Sequence, residues 1–282
     1  MRKILIPTDF SENAMNAIRY ALELFKYEKS IFYIMHAYAD EVYDHDALVS
    51  REILEELKEI VKNSCIVELK DTLKIIDQIS PNPRHEYRVI PAFGTLIDEA
   101  NAIVDSENID VLIMGTKGKR NDQNLTFGSN TLQVLKYVKC PVLAIPSGYK
   151  WEQPKNVLFP ADYFLPYKRR ELKLVSTLTK SFRSTVHLLH VSKHEKISIR
   201  QEDNKAFLKE CLFDTDIKSH TMASDTLTEA INNFVESHKI DFLILVNSRH
   251  SYLENILYQS TIDKIGLHIK IPFLTMQNLQ RY

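Results

Sequence analysis

Ile109-Asp110-Val111-Leu112-Ile113-Met114-Gly115 is the stretch on which the reading of this chain turns. Its apolar run comes back 131 positions later as Ile240-Asp241-Phe242-Leu243-Ile244-Leu245-Val246. The same offset carries Cys140-Pro141-Val142-Leu143-Ala144-Ile145 onto Ile271-Pro272-Phe273-Leu274-Thr275-Met276. Towards the amino end, Lys3-Ile4-Leu5-Ile6-Pro7-Thr8-Asp9 pairs with Asn156-Val157-Leu158-Phe159-Pro160-Ala161-Asp162 at an offset of 153. Ser30-Ile31-Phe32-Tyr33-Ile34-Met35-His36 pairs with Ser184-Thr185-Val186-His187-Leu188-Leu189-His190 at 154. Self-similarity on this scale means one folding unit written twice. The second copy is shorter by roughly twenty residues, lost between its second apolar run and its fourth. Ser147-Gly148-Tyr149-Lys150-Trp151-Glu152-Gln153-Pro154 supplies the glycine, proline and charge of a linker. The expected domains are therefore 1–146 and 155–282.

Within the first copy, the runs 3–8, 31–36, 87–91, 110–115 and 141–145 are rich in Ile, Leu and Val and read as strands buried on both faces. Ala14, Ile18, Ala21, Leu22 and Phe25 recur at helical spacing after a Ser11-Glu12 start. Further helical patterns cover about 47–79, with Ile53, Leu57 and Ile60 on one face, then 95–105 and 129–138. Strand and helix in alternation argue for parallel strands joined by crossover helices. Each copy is expected to be a doubly wound α/β domain, a five-stranded parallel sheet flanked by helices. Such sheets hold ligands at the carboxyl ends of their strands, where the strand order switches direction.

The 282 residues are 44% hydrophobic and 26% charged, ordinary for a globular protein. Thirty-six Lys and Arg against 37 Asp and Glu leave a net charge of -1. That balance gives no chain-wide attraction for nucleic acid or an anionic membrane, and neither is expected as a partner. No apolar run approaches the roughly 20 residues that span a bilayer, and Ile4-Leu5-Ile6 is too short for a signal peptide. Cys65, Cys140 and Cys211 are odd in number and form no C-x-x-C pair, which speaks against a disulfide framework or a zinc site. A reduced, cytoplasmic protein is the expectation.

Glycine is scarce: of six, Gly115, Gly118 and Gly128 fall within fourteen residues. Gly115-Thr116-Lys117-Gly118, nine further residues and Gly128-Ser129-Asn130 run from a strand end to a helix start. Glycine there permits positive φ and close approach to a ligand. The amides around Ser129, Asn130 and Thr131 suit phosphate, Ser129 is a candidate helix cap, and Lys117 adds a positive charge. On spacing alone, a phosphate loop and an ordinary strand-to-helix turn both remain open. Asp9, ending the first strand on the same sheet edge, can accept hydrogen bonds from ribose hydroxyls or help Ser11 cap the next helix.

Ile6-Pro7-Thr8-Asp9-Phe10-Ser11, the strand ending His36-Ala37, Met114-Gly115 and the pattern G-x2-G-x9-G-S at Gly115, Gly118, Gly128 and Ser129 together resemble the universal stress protein family in its tandem form. The glycine pattern is similar to that of the family's ATP-binding branch, on the architecture of the adenine nucleotide α-hydrolases. The resemblance implies that Asp9 meets the ribose and that backbone near Ala37 reads adenine. It gives the phosphates, often with a divalent ion such as Mg2+, to Gly115, Lys117, Gly118, Gly128, Ser129 and Asn130, beside Met114. It implies a nucleotide-dependent stress-response regulator rather than a fast enzyme.

The second copy departs from the pattern. Gly115, Gly118 and Gly128 become Val246, Arg249 and Gln259, and only Ser129 is kept, as Ser260. A β-branched valine is a poor occupant of a positive-φ position. The second domain is therefore expected not to bind ATP but to pair with the first within the chain, leaving a further homodimer open. The alternative is a scaffold that binds no nucleotide and acts through paired domain surfaces.

Neither a G-x-S-x-G elbow nor a G-x-x-x-x-G-K-[ST] loop occurs, so no catalytic residue is assigned and an enzyme is not expected, with slow ATP hydrolysis as the upper bound. His187, His190 and His194 would share a helix face, but they begin on a strand, where neighbours alternate sides. His190 aligns with His36, and a structural place at the strand end is expected for both.

Overall fold

The computed structural model describes residues 1–43, 51–118, 128–164, 166–192, 196–224, 226–247 and 270–277. The chain divides into two compact units, Met1–Gly148 and Tyr149–Tyr282. The first runs β1 (Arg2–Pro7), α1 (Glu12–Leu24), β2 (Ser30–Ala37), α2 (Ala39–Tyr43), α3 (Arg51–Ile79), β3 (His85–Ala92), α4 (Leu96–Glu107), β4 (Val111–Gly115), α5 (Ser129–Tyr137) and β5 (Val142–Ile145). Its strands lie in the order β3-β2-β1-β4-β5 and every described pairing is parallel.

The burial of each strand follows from its place. The central strands β2 and β4 are buried along almost their whole length, and β1 from Ile4 onward, after a half-buried Arg2-Lys3. Edge strand β3 begins with an alternation of half-buried and exposed residues, His85 and Tyr87 against Glu86 and Arg88. Charges on an edge strand discourage pairing with another chain. Side-chain caps start the helices where the sequence offers them: Ser11 accepts the Ala14 amide for α1, and Thr95 accepts that of Asp98 for α4. Helix α1 packs on β4 and β5, and α3 on β2 and β3.

The second unit runs β6 (Asn156–Pro160), α6 (Arg169–Phe182), β7 (Thr185–Val191), α7 (Ile199–Cys211), β8 (Asp216–Met222), α8 (Leu227–Ser237), β9 (Phe242–Asn247) and β10 (Phe273–Gln277). Its order is β8-β7-β6-β9-β10, again with parallel pairings. The residues missing from the shorter copy are found in one crossover. Between second and third strands the first unit carries α2 and the 29-residue α3, where the second carries the 13-residue α7. Among the described residues no helix is long and apolar enough to cross a membrane.

The Ile-Asp pair that opens the repeated stretch has the same structural role in both units. Asp110 Oδ2 accepts the Lys3 amide at 2.9 Å, while the Asp110 amide donates to Lys3 O at 2.9 Å. In the second unit the Asp241 carboxylate accepts the amides of Lys155 and Asn156, and the Asp241 amide donates to Asn156 O. Each aspartate thus fastens the start of the fourth strand to the start of the first. Hydrogen bonds to a charged group contribute about 1.5–3 kcal/mol. Asp110→Ala is expected to lower the unfolding free energy by about that much in urea denaturation, and Asp110→Asn, which keeps an acceptor, by less. Equal, negligible losses in both variants would show that the strands hold register without this clamp.

Candidate functional site

Strands β1 and β4 are neighbours, with Ile4 opposite Val111 and Leu5 opposite Leu112. The chain leaves them in opposite directions, from β1 towards β2 and from β4 towards β5. Their carboxyl ends therefore flank the crevice at the switch in strand order. The Thr8 amide donates to Met35 O at 2.8 Å, and Thr8 O receives His36 Nδ1 at 2.7 Å. Phe10 then turns the chain sharply, at φ +61°, with its ring 4.6 Å from the buried His36 ring. Positive φ is strained for a bulky side chain and persists only where surrounding contacts enforce it. Across this turn, Asp9 Oδ1 accepts from the Ser11 amide at 3.1 Å and from its hydroxyl at 2.6 Å. Ser11, not Asp9, caps α1, and Asp9 is oriented by that cap.

The other carboxylate oxygen, Oδ2, is turned to the glycine loop. A Cβ placed on Gly118 would lie 2.9 Å from Asp9 Oδ2, and one on Gly115 would lie 3.1 Å from the backbone oxygen of Asn13. Glycine at 115 thus lets the first turn of α1 close on β4, and glycine at 118 admits the Asp9 carboxylate. The positive φ expected of the loop glycines is not found: among the described residues Gly148 is the glycine that has it, at +71°. Close approach, not backbone handedness, explains Gly115 and Gly118. Gly128 closes the base of the loop through its amide to Thr116 O at 2.8 Å. Residues 119–127, between them, lie outside the described residues.

The expected Ser129 cap is corrected too. Gly128 is the N-cap of α5 and makes no side-chain bond, while Ser129 opens the helix and is exposed, as is Asn130. The sequence reading did not single out the Thr131 side chain, whose buried hydroxyl lies 3.1 Å from the oxygens of both Gly115 and Thr116. It roots α5 on the end of β4; its one signal was a hydroxyl three residues past a glycine. Ala37 ends β2 opposite Ala92, Met114 is buried in β4 opposite Ala144, and Lys117 is half-buried beside Gly118. A cleft of about 440 Å³ opens between the first turn of α1 and Gly118, with Ser147 and Gly148 also lining it.

The second unit keeps the turn, while its sequence lacks the loop glycines. Asp162 Oδ1 accepts the Phe164 amide at 3.0 Å, Tyr163 has φ +59° and its ring stacks 5.4 Å from that of His190, and His190 Nδ1 reaches Ala161 O at 2.9 Å. His36 and His190 thus occupy matching places at the strand end. Val246 sits in β9 without positive φ, so the backbone objection to valine falls. Side chains occupy the strand ends instead: Asn247 Nδ2 donates to Oε1 of the fully buried Gln277 at 2.8 Å, and Lys168 Nζ to Gln277 O at 3.0 Å. Arg249, Gln259, Ser260 and His194 lie outside the described residues.

His187, three residues before His190, meets histidines from other elements. Its Nδ1 is 3.1 Å from His220 Nε2, its ring lies 5.8 Å from those of His238 and Phe234, and its Nε2 is buried without a partner. Among the described residues no group of three or more His, Cys, Asp or Glu is arranged to hold a metal ion. Burial, reinforced by the neighbouring histidines and Lys218 and opposed by Asp216, brings the His187 pKa down to about 4; burial first, then His238 and Lys218, lowers that of His220.

Compared with known proteins, residues 1–146 match the universal stress protein family. The chain belongs to that family. This universal stress protein is 30% identical over 159 residues to universal stress protein MJ0577 of Methanocaldococcus jannaschii, a match covering 51% of the chain and 94% of the relative. It is 26% identical over 150 residues to MJ0531 of the same organism, covering 53% and 84%. A solved universal stress protein from Archaeoglobus fulgidus has the same fold over 98% of this chain and 96% of its own, with a TM-score of 0.67 at 18% identity.

The histidine cluster is expected to make the second unit less stable in acid. An unfolded chain takes up these protons near the ordinary histidine pKa of about 6.5, whereas folded His187 does so only near 4. Between those values the unfolded state holds more protons, so stability falls as pH falls. The thermal midpoint of the second unit is expected to drop from about pH 7 to about pH 4.5, and His187→Leu to flatten that slope. A slope identical in the variant would show that other groups set it.

Proposed function

We propose that this universal stress protein binds ATP at the strand ends of its first unit and acts as a nucleotide-dependent regulator in the stress response. The observation that carries the reading is the approach of Gly118 to the Asp9 carboxylate, at the switch between β1 and β4. An acid there, held by the α1 cap, suits ribose hydroxyls, while the amides of the glycine loop beside it suit phosphates. Ala37 offers backbone to the adenine. On this reading Gly115, Lys117, Gly118 and Gly128 meet the phosphates beside Met114, and Gly118 lines the cleft. The exposed Ser129 and Asn130 stand at the positive end of α5. Asp9 is a single carboxylate, so a Mg2+ ion would arrive with the nucleotide, held chiefly by phosphate oxygens and water.

On the same reading the second domain, 155–282, is a degenerate copy of the domain in 1–146 and takes no ATP. Its Asp162 serves its own turn, and Asn247 and Gln277 fill the strand ends.

Mass spectrometry of small molecules released from gently purified protein is expected to find about one ATP or ADP per chain, in line with one competent site. Two per chain would load the second unit as well. Gly118→Val would drive a branched side chain into the Asp9 carboxylate, and calorimetry with Mg-ATP is expected to show binding weakened by at least about a hundredfold. The loop position is exposed, so circular dichroism and the unfolding midpoint should match the parent chain. Unchanged affinity in that folded variant would remove the proposed site, and a parent chain that neither carries nor binds nucleotide would turn the reading to a scaffold.

A further inference from the structure

Helix α3 carries more apolar surface than its own unit covers. Cys65, Leu69, Thr72 and Ile76 are its buried residues, on the side packed against β2 and β3. Ile53, Ile60 and Val67 stand 50%, 64% and 58% exposed. They are seven residues apart, which sets them in one line along the helix, and Leu57 and Val61 on the same flank are only half-buried. The face that the sequence marks with Ile53, Leu57 and Ile60 is therefore not the one that meets the sheet. From Ile53 to Val67 the strip runs about 21 Å at the helical rise. It belongs to the crossover in which the first unit exceeds the second, 29 helical residues against 13.

We propose that this strip is the seam of a twofold dimer, α3 lying antiparallel against α3 of a second copy of the chain. Charge selects both the occupant and the direction. With Ile60 and Val67 at one core position of a heptad and Leu57 and Ser64 at the other, Glu56, Asn63 and Lys70 follow one margin at one step per heptad. Antiparallel pairing sets Asn63 against its own copy and Glu56 of each chain against Lys70 of the other, twice by symmetry. Parallel pairing would bring this margin to the opposite one, where Val61 and Ile75 carry no charge for Glu56 and Lys70. Lys58, Lys62 and Lys74 on the same helix are paired with Glu55, Glu59 and Asp71. Among the described residues Glu56 and Lys70 have no such ion pair, and both are exposed. The dimer is independent of nucleotide binding in the first unit.

Sedimentation velocity on the full chain is expected to show dimers at about 10–100 μM. Ile60→Glu buries two charges at the seam and should weaken association by at least about a hundredfold, with circular dichroism and the unfolding midpoint unchanged. Glu56→Lys alone sets like charges together twice and should weaken it about tenfold, and adding Lys70→Glu should restore it. Recovery in that double reversal is the signature of the antiparallel pair. A parent chain that stays monomeric, a dimer indifferent to Ile60→Glu, or a double reversal no better than the single one would each overturn the proposal.

Discussion

A carboxylate at the amino end of the fourth strand sets the geometry of each unit. β1 and β4 are adjacent in the sheet but separated by more than a hundred residues of chain, so nothing local dictates how they align. The Asp110 side chain holds the Lys3 amide while its own amide holds Lys3 O, and that two-way contact fixes the pairing of Ile4 with Val111. A slip of one residue would turn every side chain of the strand to the other face. It would also change the relative heights of Pro7 and Gly115, and the approach of Asp9 to Gly118 depends on those heights. The clamp at one end of the sheet thereby bears on the approach of Asp9 to Gly118 at the other.

The strand ends of the first unit are shaped as much by absent atoms as by present ones. Gly115 lets α1 close on β4, and Gly118 lets the loop reach a carboxylate. The strained turn at Phe10 is held by its packing on His36, whose ring also contacts Thr8 O and Glu41. Tyr163 and His190 reproduce the turn in the second unit. The two units thus share the backbone device and differ in what surrounds it.

How much of this was legible in the sequence depended on the range of the interaction. The central strands could be read because residues buried on both faces leave uninterrupted runs such as Ile4-Leu5-Ile6 and Val111-Leu112-Ile113. Asp9 and the glycines could be read from spacing, since the parallel order brings strand ends to one edge. The reason for the glycines could not, because Asn13 and Asp9 approach them across the fold. The Ser129 cap was misread because the helix starts one residue earlier than a serine cap requires, with Gly128 in that place. Periodicity marked an apolar face on α3, yet it carries no information on what covers that face. The meeting of His187 with His220 and His238 joins a strand, its neighbour and a helix end, contacts that no local pattern announces.

Retaining the turn in both units while keeping the loop glycines in one has a thermodynamic consequence. A ligand that binds only the folded first unit stabilises that unit alone, by about 2.7 kcal/mol at a hundred times its dissociation constant. On the nucleotide reading, the two halves of one chain would then drift apart in stability as ATP rises and converge as it falls. The chain would carry its own reference: the second unit, insensitive to the nucleotide, against which the occupancy of the first is registered as a difference in resistance to unfolding.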